Sequence, residues 1–272
     1  MICKKFLDTN RNLLYNHGMR TFPNLQYSQK HTEKLDVYLP DGDGFTTVVY
    51  FHGGGLKVHA RAKENFVEIA HSFVKKGYAF VSVDYRIYPD AKFPDFLEDG
   101  AAAVAFVKER IPAWGGNGKI IASGQSAGAW IAAMLCLDKK YLGEVGINAE
   151  QIDGWIIDSA QMTAHFNVMN TEQGLHPLAQ RINEFAPLYF VDENTSFSKM
   201  LLIYYDKDMP TRPEQNRLFY KTVLAFKNDA DIECEQLLGG HCYGSEHKDD
   251  DGEYAFVKTS FAWLEKKGIV NR

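Results

Sequence analysis

Lys119 to Leu137 reads KIIASGQSAGAWIAAMLCL, and the rest of the chain is organised around it. A short apolar β-type segment (Ile120, Ile121, Ala122) passes through Gly124-Gln125-Ser126-Ala127-Gly128 into an Ala-rich apolar helix. A serine on a strained strand-to-helix turn brings backbone close to backbone, and glycines flank it because a Cβ has no room there. Such a turn lifts the Ser126 hydroxyl clear of the sheet. It also leaves the first N–H groups of the helix unpaired, with that of Ala127 placed to meet a developing oxyanion.

Outward from this stretch the pattern repeats. Lys34 to Leu39 alternates as a half-buried strand, and Thr46 to Phe51 is β-branched and aromatic, a buried strand that runs into His52-Gly53-Gly54-Gly55. Apolar residues at helical spacing predict a helix near Ala62 to Lys76, closed by Gly77. Tyr78 to Val83 is the next strand, followed by Asp84-Tyr85-Arg86 and a helix from about Asp95 to Arg110. Beyond the serine, strands are expected at Ile152 to Ile157, Met200 to Tyr205 and Ile232 to Leu238, with helices over Pro213 to Lys227 and Phe256 to Lys267. Residues 1–30 read as polar and irregular, with a turn at Pro23 and Asn24. Strands alternating with helices imply a mostly parallel central sheet flanked by helices, an α/β architecture. No repeat or linker divides residues 1–272, so a single domain is expected, with a modest lid-like insertion at about 160–198 between the sixth and seventh strands.

Bulk properties exclude several classes. With a formal net charge of -5 and a pI near 6.0, no polyanion, and hence no nucleic acid, is expected as a partner. No window approaches the ~18 apolar residues of a membrane span, and the first residues lack a signal-peptide core. Cys3, Cys136, Cys234 and Cys242 have no metal-type spacing and read as free thiols, which points to a cytoplasmic location. The acidic block Lys248-Asp249-Asp250-Asp251 lacks the alternating ligands of a calcium loop and reads as a solvated turn. No metal is expected. An exposed sheet edge can support a homodimer.

In a parallel sheet, reactive groups gather at the carboxyl ends of strands. Ser126 needs a base, and the base needs an orienting carboxylate. His241 follows the last strand after two glycines and is the candidate base, ahead of His247 in the charged loop. Asp208, two residues beyond its strand, is better placed than Asp206 to reach an imidazole. His52 is expected to hold the glycine loop, with the N–H groups of Gly54 and Gly55 joining that of Ala127 in an oxyanion hole. Leu56, Trp130 and Tyr243 flank these motifs as candidate substrate contacts, with Met162 and Phe166 beside them.

Together, HGGG at 52–55, DYR at 84–86 with YPD and FP after it, GQSAG at 124–128, Asp208 and His241 resemble the esterase/lipase branch of the α/β hydrolases. That branch includes the hormone-sensitive-lipase-like carboxylesterases and the small acetyl and xylan esterases. The resemblance spans roughly residues 35 to 265. It implies hydrolysis of a small-molecule carboxylic ester through an acyl-Ser126 intermediate, without a cofactor. There are departures: Gln125 stands where many relatives have an acid, Leu56 where they have Trp or Phe, and Tyr205 where Gly often precedes the acid loop. Short acyl esters, acetyl esters of sugars among them, fit the short chain before HGGG. An amidase of the arylformamidase type would use the same motifs, whereas a non-catalytic binding protein of this fold would typically lack the serine or the histidine.

Overall fold

The computed structural model describes residues 14–16, 19–30, 32–57 and 62–269; Cys3 lies outside them. In chain order the strands are β1 (Leu14–Asn16), β2 (Met19–Gln26), β3 (Lys34–Pro40), β4 (Phe45–Phe51), β5 (Ala79–Val83), β6 (Gly116–Gln125), β7 (Gly154–Asp158), β8 (Met200–Lys207) and β9 (Ile232–Gly240). The helices are α1 (Val67–Lys75), α2 (Asp95–Trp114), α3 (Ala127–Leu137), α4 (Lys140–Glu144), α5 (Phe166–Gln173), α6 (Arg212–Phe226), α7 (Tyr243–Glu246) and α8 (Ala255–Lys266). Among the described residues, nine strands form one sheet in the order β1-β2-β3-β5-β4-β6-β7-β8-β9. From β5 through β9 every pairing is parallel, whereas β1, β2 and β3 add an antiparallel flank.

That flank corrects the expectation of irregular structure before residue 30. β2 pairs with β3 around a bulge between Phe22 and Leu25, where Asn24 takes φ 58° and its N–H donates to Asp36 Oδ1 at 2.7 Å. Pro23 and Asn24 therefore mark a bulge inside a strand, and the side chains of β2 are too exposed to alternate cleanly. The insertion at 160–198 correspondingly lies between β7 and β8, the seventh and eighth strands, and not between the sixth and seventh. β1 and β2 add two strands before the seven expected, and the expectation also numbers the strands flanking the insertion one too high.

β4, β5 and β7 are buried at every position, as strands covered on both faces must be. α3 is also buried at every position, which accounts for its being apolar all round. Its small residues let it lie against the sheet centre. A Cβ on Gly128 would come within 2.0 Å of Phe51 O and 2.5 Å of His52 O, and one on Gly124 within 2.4 Å of Gly128. The elbow glycines are thus fixed by backbone-to-backbone approach. One large apolar cluster joins α2 and α3 to one face of the sheet, and a second, rich in aromatics, joins α1 and α8 to the other.

Candidate active site

Ser126 sits between β6 and α3 at φ 54° and ψ -113°, a conformation that costs a non-glycine residue on the order of 1–3 kcal/mol and persists only where its surroundings impose it. Its N–H donates to Asp158 O at 2.8 Å, and its carbonyl accepts from Trp130 N at 3.0 Å, so both sides of the turn are tied down. Ser126 Oγ lies 2.8 Å from His241 Nε2, and His241 Nδ1 lies 2.5 Å from Asp208 Oδ1. These three side chains come from the ends of β6, β9 and β8, which neighbour one another in the sheet apart from β7.

The two aspartates after β8 do different things. Asp206 Oδ1 accepts the N–H of Gly239 at 2.7 Å and ties β8 to β9. Asp208, its side chain fully buried, accepts from Met209 N at 2.6 Å as well as facing the imidazole. His247 is not near the serine hydroxyl; it stacks on Tyr243 with ring centroids 4.3 Å apart.

The loop after β4 approaches the serine from the other side. Gly54 and Gly55 take φ 110° and 66°, and both line the same cavity as Ser126. Ala127 opens α3, where the first N–H groups have no partner within the helix. His52 is buried behind this loop. Its Nδ1 is 2.6 Å from Gly53 O, its ring stacks on Tyr85 at 4.4 Å, and its carbonyl accepts from Tyr85 Oη at 2.6 Å. Asp84 Oδ1 lies 3.5 Å from His52 Nε2, and burial pushes the Asp84 carboxyl up to about 6.

The cavity over Ser126 measures about 320 Å³ and is lined by Phe166, Asn167, Met209, Cys242, Gln125 and Glu246 around the three glycines and His241. The three candidate substrate contacts are elsewhere. Leu56 is buried in the core at φ 62°, and its carbonyl accepts from Tyr88 N at 2.8 Å. Trp130, facing into the core from α3, packs on Phe96 and donates from Nε1 to Phe185 O at 3.1 Å. Tyr243 leans outward onto His247. Met162 is buried, whereas Phe166 does line the cavity.

The lining that sequence reasoning missed comes from two places. Asn167, in the insertion, donates from Nδ2 to Gly55 O at 2.6 Å and so holds the glycine loop from above. At the other end of α5, Glu172 Oε1 accepts from Tyr88 Oη and Phe93 N. The second place is the turn after His241. Cys242 adopts φ 59°, and the short helix α7 swings Ser245 and Glu246 back against Gln125. Gln125 Nε2 donates to Ser245 Oγ at 2.7 Å and to Glu246 Oε1 at 3.1 Å, and Ser245 Oγ donates to Asp158 Oδ2 at 2.9 Å. Gln125 in place of an acid was the one signal of this network in the sequence. Asp158 is fully buried, and desolvation, reinforced by Asp208, pushes its carboxyl up to about 7. Arg212 is buried beneath the same loops and donates to Ser159 O at 2.5 Å. Cys136, Cys234 and Cys242 carry free thiols, and Lys258 Nζ sits among the acidic block, 2.5 Å from Asp249 and 3.1 Å from Asp251. Among the described residues no helix is long and apolar enough to cross a membrane.

A strained serine between strand and helix, with an imidazole and a carboxylate supplied by later strand ends of a mostly parallel sheet, is the arrangement of the α/β-hydrolase fold. The BD-FAE family model matches residues 35–154. A probable isoprenylcysteine alpha-carbonyl methylesterase of Oryza sativa subsp. japonica is 28% identical over 200 residues, 65% of this chain and 45% of that protein. Carboxylesterase NlhH of Mycobacterium tuberculosis is 35% identical over 102 residues, 36% of this chain and 32% of that protein. The chain spans less than half the length of the curated relatives it matches. In fold it is similar to a thermophilic esterase of the Planctomycetes species Thermogutta terrifontis, with a TM-score of 0.72 at 20% identity, covering 91% of this chain and 94% of that one.

Proposed function

We propose that this chain is a serine carboxylesterase that hydrolyses short-chain acyl esters, acetyl esters of sugars among them, through an acyl-Ser126 intermediate. The observation that carries the reading is the continuous contact from Ser126 Oγ to His241 at 2.8 Å and from His241 to Asp208 at 2.5 Å. As Ser126 Oγ bonds to the ester carbonyl carbon, His241 Nε2 takes its proton and Asp208 stabilises the imidazolium. The carbonyl oxygen becomes an oxyanion facing the N–H groups of Gly54, Gly55 and Ala127, each such donor being worth ~3 kcal/mol in the transition state. Collapse breaks the bond to the alcohol, which leaves with the proton from His241. Water then repeats the sequence on the acyl-serine and releases the acid.

The cavity of about 320 Å³ has room for a small acyl group beside Ser126. The names of the relatives, a methylesterase and a carboxylesterase, support ester hydrolysis.

The test is hydrolysis of p-nitrophenyl esters from acetate to decanoate, with an aryl formamide and an acetylated xylo-oligosaccharide alongside, by wild type and Ser126→Ala. We expect a maximum at acetate or butyrate and a loss of at least about 10⁴-fold in Ser126→Ala. Deacetylation of the oligosaccharide would place sugar esters among the substrates. Turnover of the formamide alone would replace the esterase reading with an amidase.

A further inference from the structure

His241 follows the last residue of β9. Asp208 sets the rotation of its ring, but the place of the ring depends on the turn that comes next. That turn reverses at Cys242, whose φ of 59° is strained for a residue with a Cβ. It is held on the end of β7: Cys242 N donates to Ser159 Oγ at 3.3 Å, and Ser245 Oγ donates to Asp158 Oδ2 at 2.9 Å. The same strand end receives the nucleophile, because Ser126 N donates to Asp158 O at 2.8 Å. Asp158 thus carries the elbow on its carbonyl and the turn of the base on its carboxylate. Gln125 Nε2, from the residue before the nucleophile, closes the circuit by donating to Ser245 Oγ at 2.7 Å. Asp158, Ser159 and Ser245 are buried and none of the three lines the cavity, so they act on the base and not on the ester.

We propose that Asp158 is a positioning residue for the base: through Ser245 it fixes the His241 imidazole between Ser126 Oγ and the oxygen of the departing alcohol. Burying a carboxylate is unfavourable, so Asp158 weakens the fold while giving the Ser245 hydroxyl one direction. That hydroxyl has a single proton and a second acceptor, Cys242 O at 3.0 Å; the charge of Asp158 draws the proton to the strand end. This inference rests on the ester-hydrolase reading and adds a residue that sets its proton transfers. His241 makes two of them in forming the acyl-serine, taking the proton of Ser126 Oγ and giving it to the leaving oxygen. An alkoxide must be protonated to leave, whereas p-nitrophenolate need not be. A loosened imidazole therefore penalises alkyl esters more than p-nitrophenyl esters.

The test is the ratio of kcat/KM for ethyl acetate to that for p-nitrophenyl acetate, one acyl group on two alcohols. It is measured at pH 8, where the Asp158 carboxyl, pushed by burial up to about 7, is ionised. A general loss of activity or of folded protein does not move this ratio. Ser245→Ala should lower it about tenfold, and Ser245→Thr, which keeps the hydroxyl, should restore most of it. Asp158→Asn keeps the shape and loses the charge, so the ratio should fall about threefold or more, and this variant decides the matter if Ser245→Ala does not fold. The double variant should fall no further than Ser245→Ala, because the two residues act as one link; a further fall would overturn that link. Ser260→Ala removes another buried hydroxyl, one that donates to Phe256 O within α8, and should leave the ratio in place. A wild-type ratio in Asp158→Asn and in every folded Ser245 variant would overturn the positioning role and leave the esterase standing. Absence of any Ser126-dependent turnover of either ester would overturn both.

Discussion

The elbow and the insertion meet over the same cavity but are held by different forces. From Lys119 to Leu137 the chain is fixed by close approach of backbone: α3 is buried throughout, and Gly124 and Gly128 touch neighbouring peptide groups where no Cβ fits. Between β7 and β8 the chain is fixed by polar side chains. Gln215 Oε1 accepts from Met162 N and Thr163 N, Gln161 Nε2 donates to Ala164 O, and Asn167 and Glu172 pin α5 at its two ends. The first kind of region tolerates almost no change, whereas the second yields one bond at a time.

The same substitution in both regions makes the largest contrast. Gly128→Ala drives a Cβ into Phe51 O, so we expect a loss of more than about 4 kcal/mol, seen as failure to fold or a collapse of the urea midpoint. Gly174→Ala, at the end of α5, meets nothing within 4 Å and bears only the strain of φ 64°, so its cost should be about 1 kcal/mol. Equal losses would dissolve the distinction.

A smaller effect concerns the buried carboxylate of Asp158 beside the elbow. The Asp158 carboxyl is raised to about 7 in the folded chain, against about 3.9 unfolded. Between those values the folded state holds the proton and the unfolded state does not. Stability from this group is therefore fullest below about pH 4, falls as pH rises toward 7, and is level above. Asp158→Asn should reduce the fall in unfolding free energy across that window by on the order of 3 kcal/mol, measured by urea titration at a series of pH values. An unchanged slope would show that the elbow region carries no such electrostatic weakness.

The smallest effect lies in the insertion. Asn167→Ala frees the Gly55 carbonyl and lets the glycine loop wander, so kcat on a neutral ester should fall about tenfold while the urea midpoint barely moves. A matching drop in stability would mean that α5 is part of the core.

What the sequence disclosed follows the same division. α3 was legible because uniform burial demands uniform apolarity, β6 in its buried part from Ile120 onward, and Ser126, Asp208 and His241 because each follows the end of a strand pattern. β2 was missed because its side chains are half-exposed and its bulge imitates a turn. The contact of Asn167 with Gly55 joins residues 112 apart, and nothing in either neighbourhood signals the other. Leu56, Trp130 and Tyr243 were placed by adjacency to motifs, but adjacency along a chain says little about direction when φ is 62° at Leu56 and Cys242, at φ 59°, reverses the chain before Tyr243.

Gly128 lies against the carbonyls of Phe51 and His52, which lead directly into the glycine loop. The span from nucleophile to oxyanion donors is therefore a ruler made of main chain. Side chains bear on it at the far end of the loop, where Asn167 holds Gly55. Under the proposed function, descendants of this sequence change which ester they accept by rebuilding the walls, at Phe166, Asn167, Met209 and Glu246, around a main-chain frame inherited unchanged.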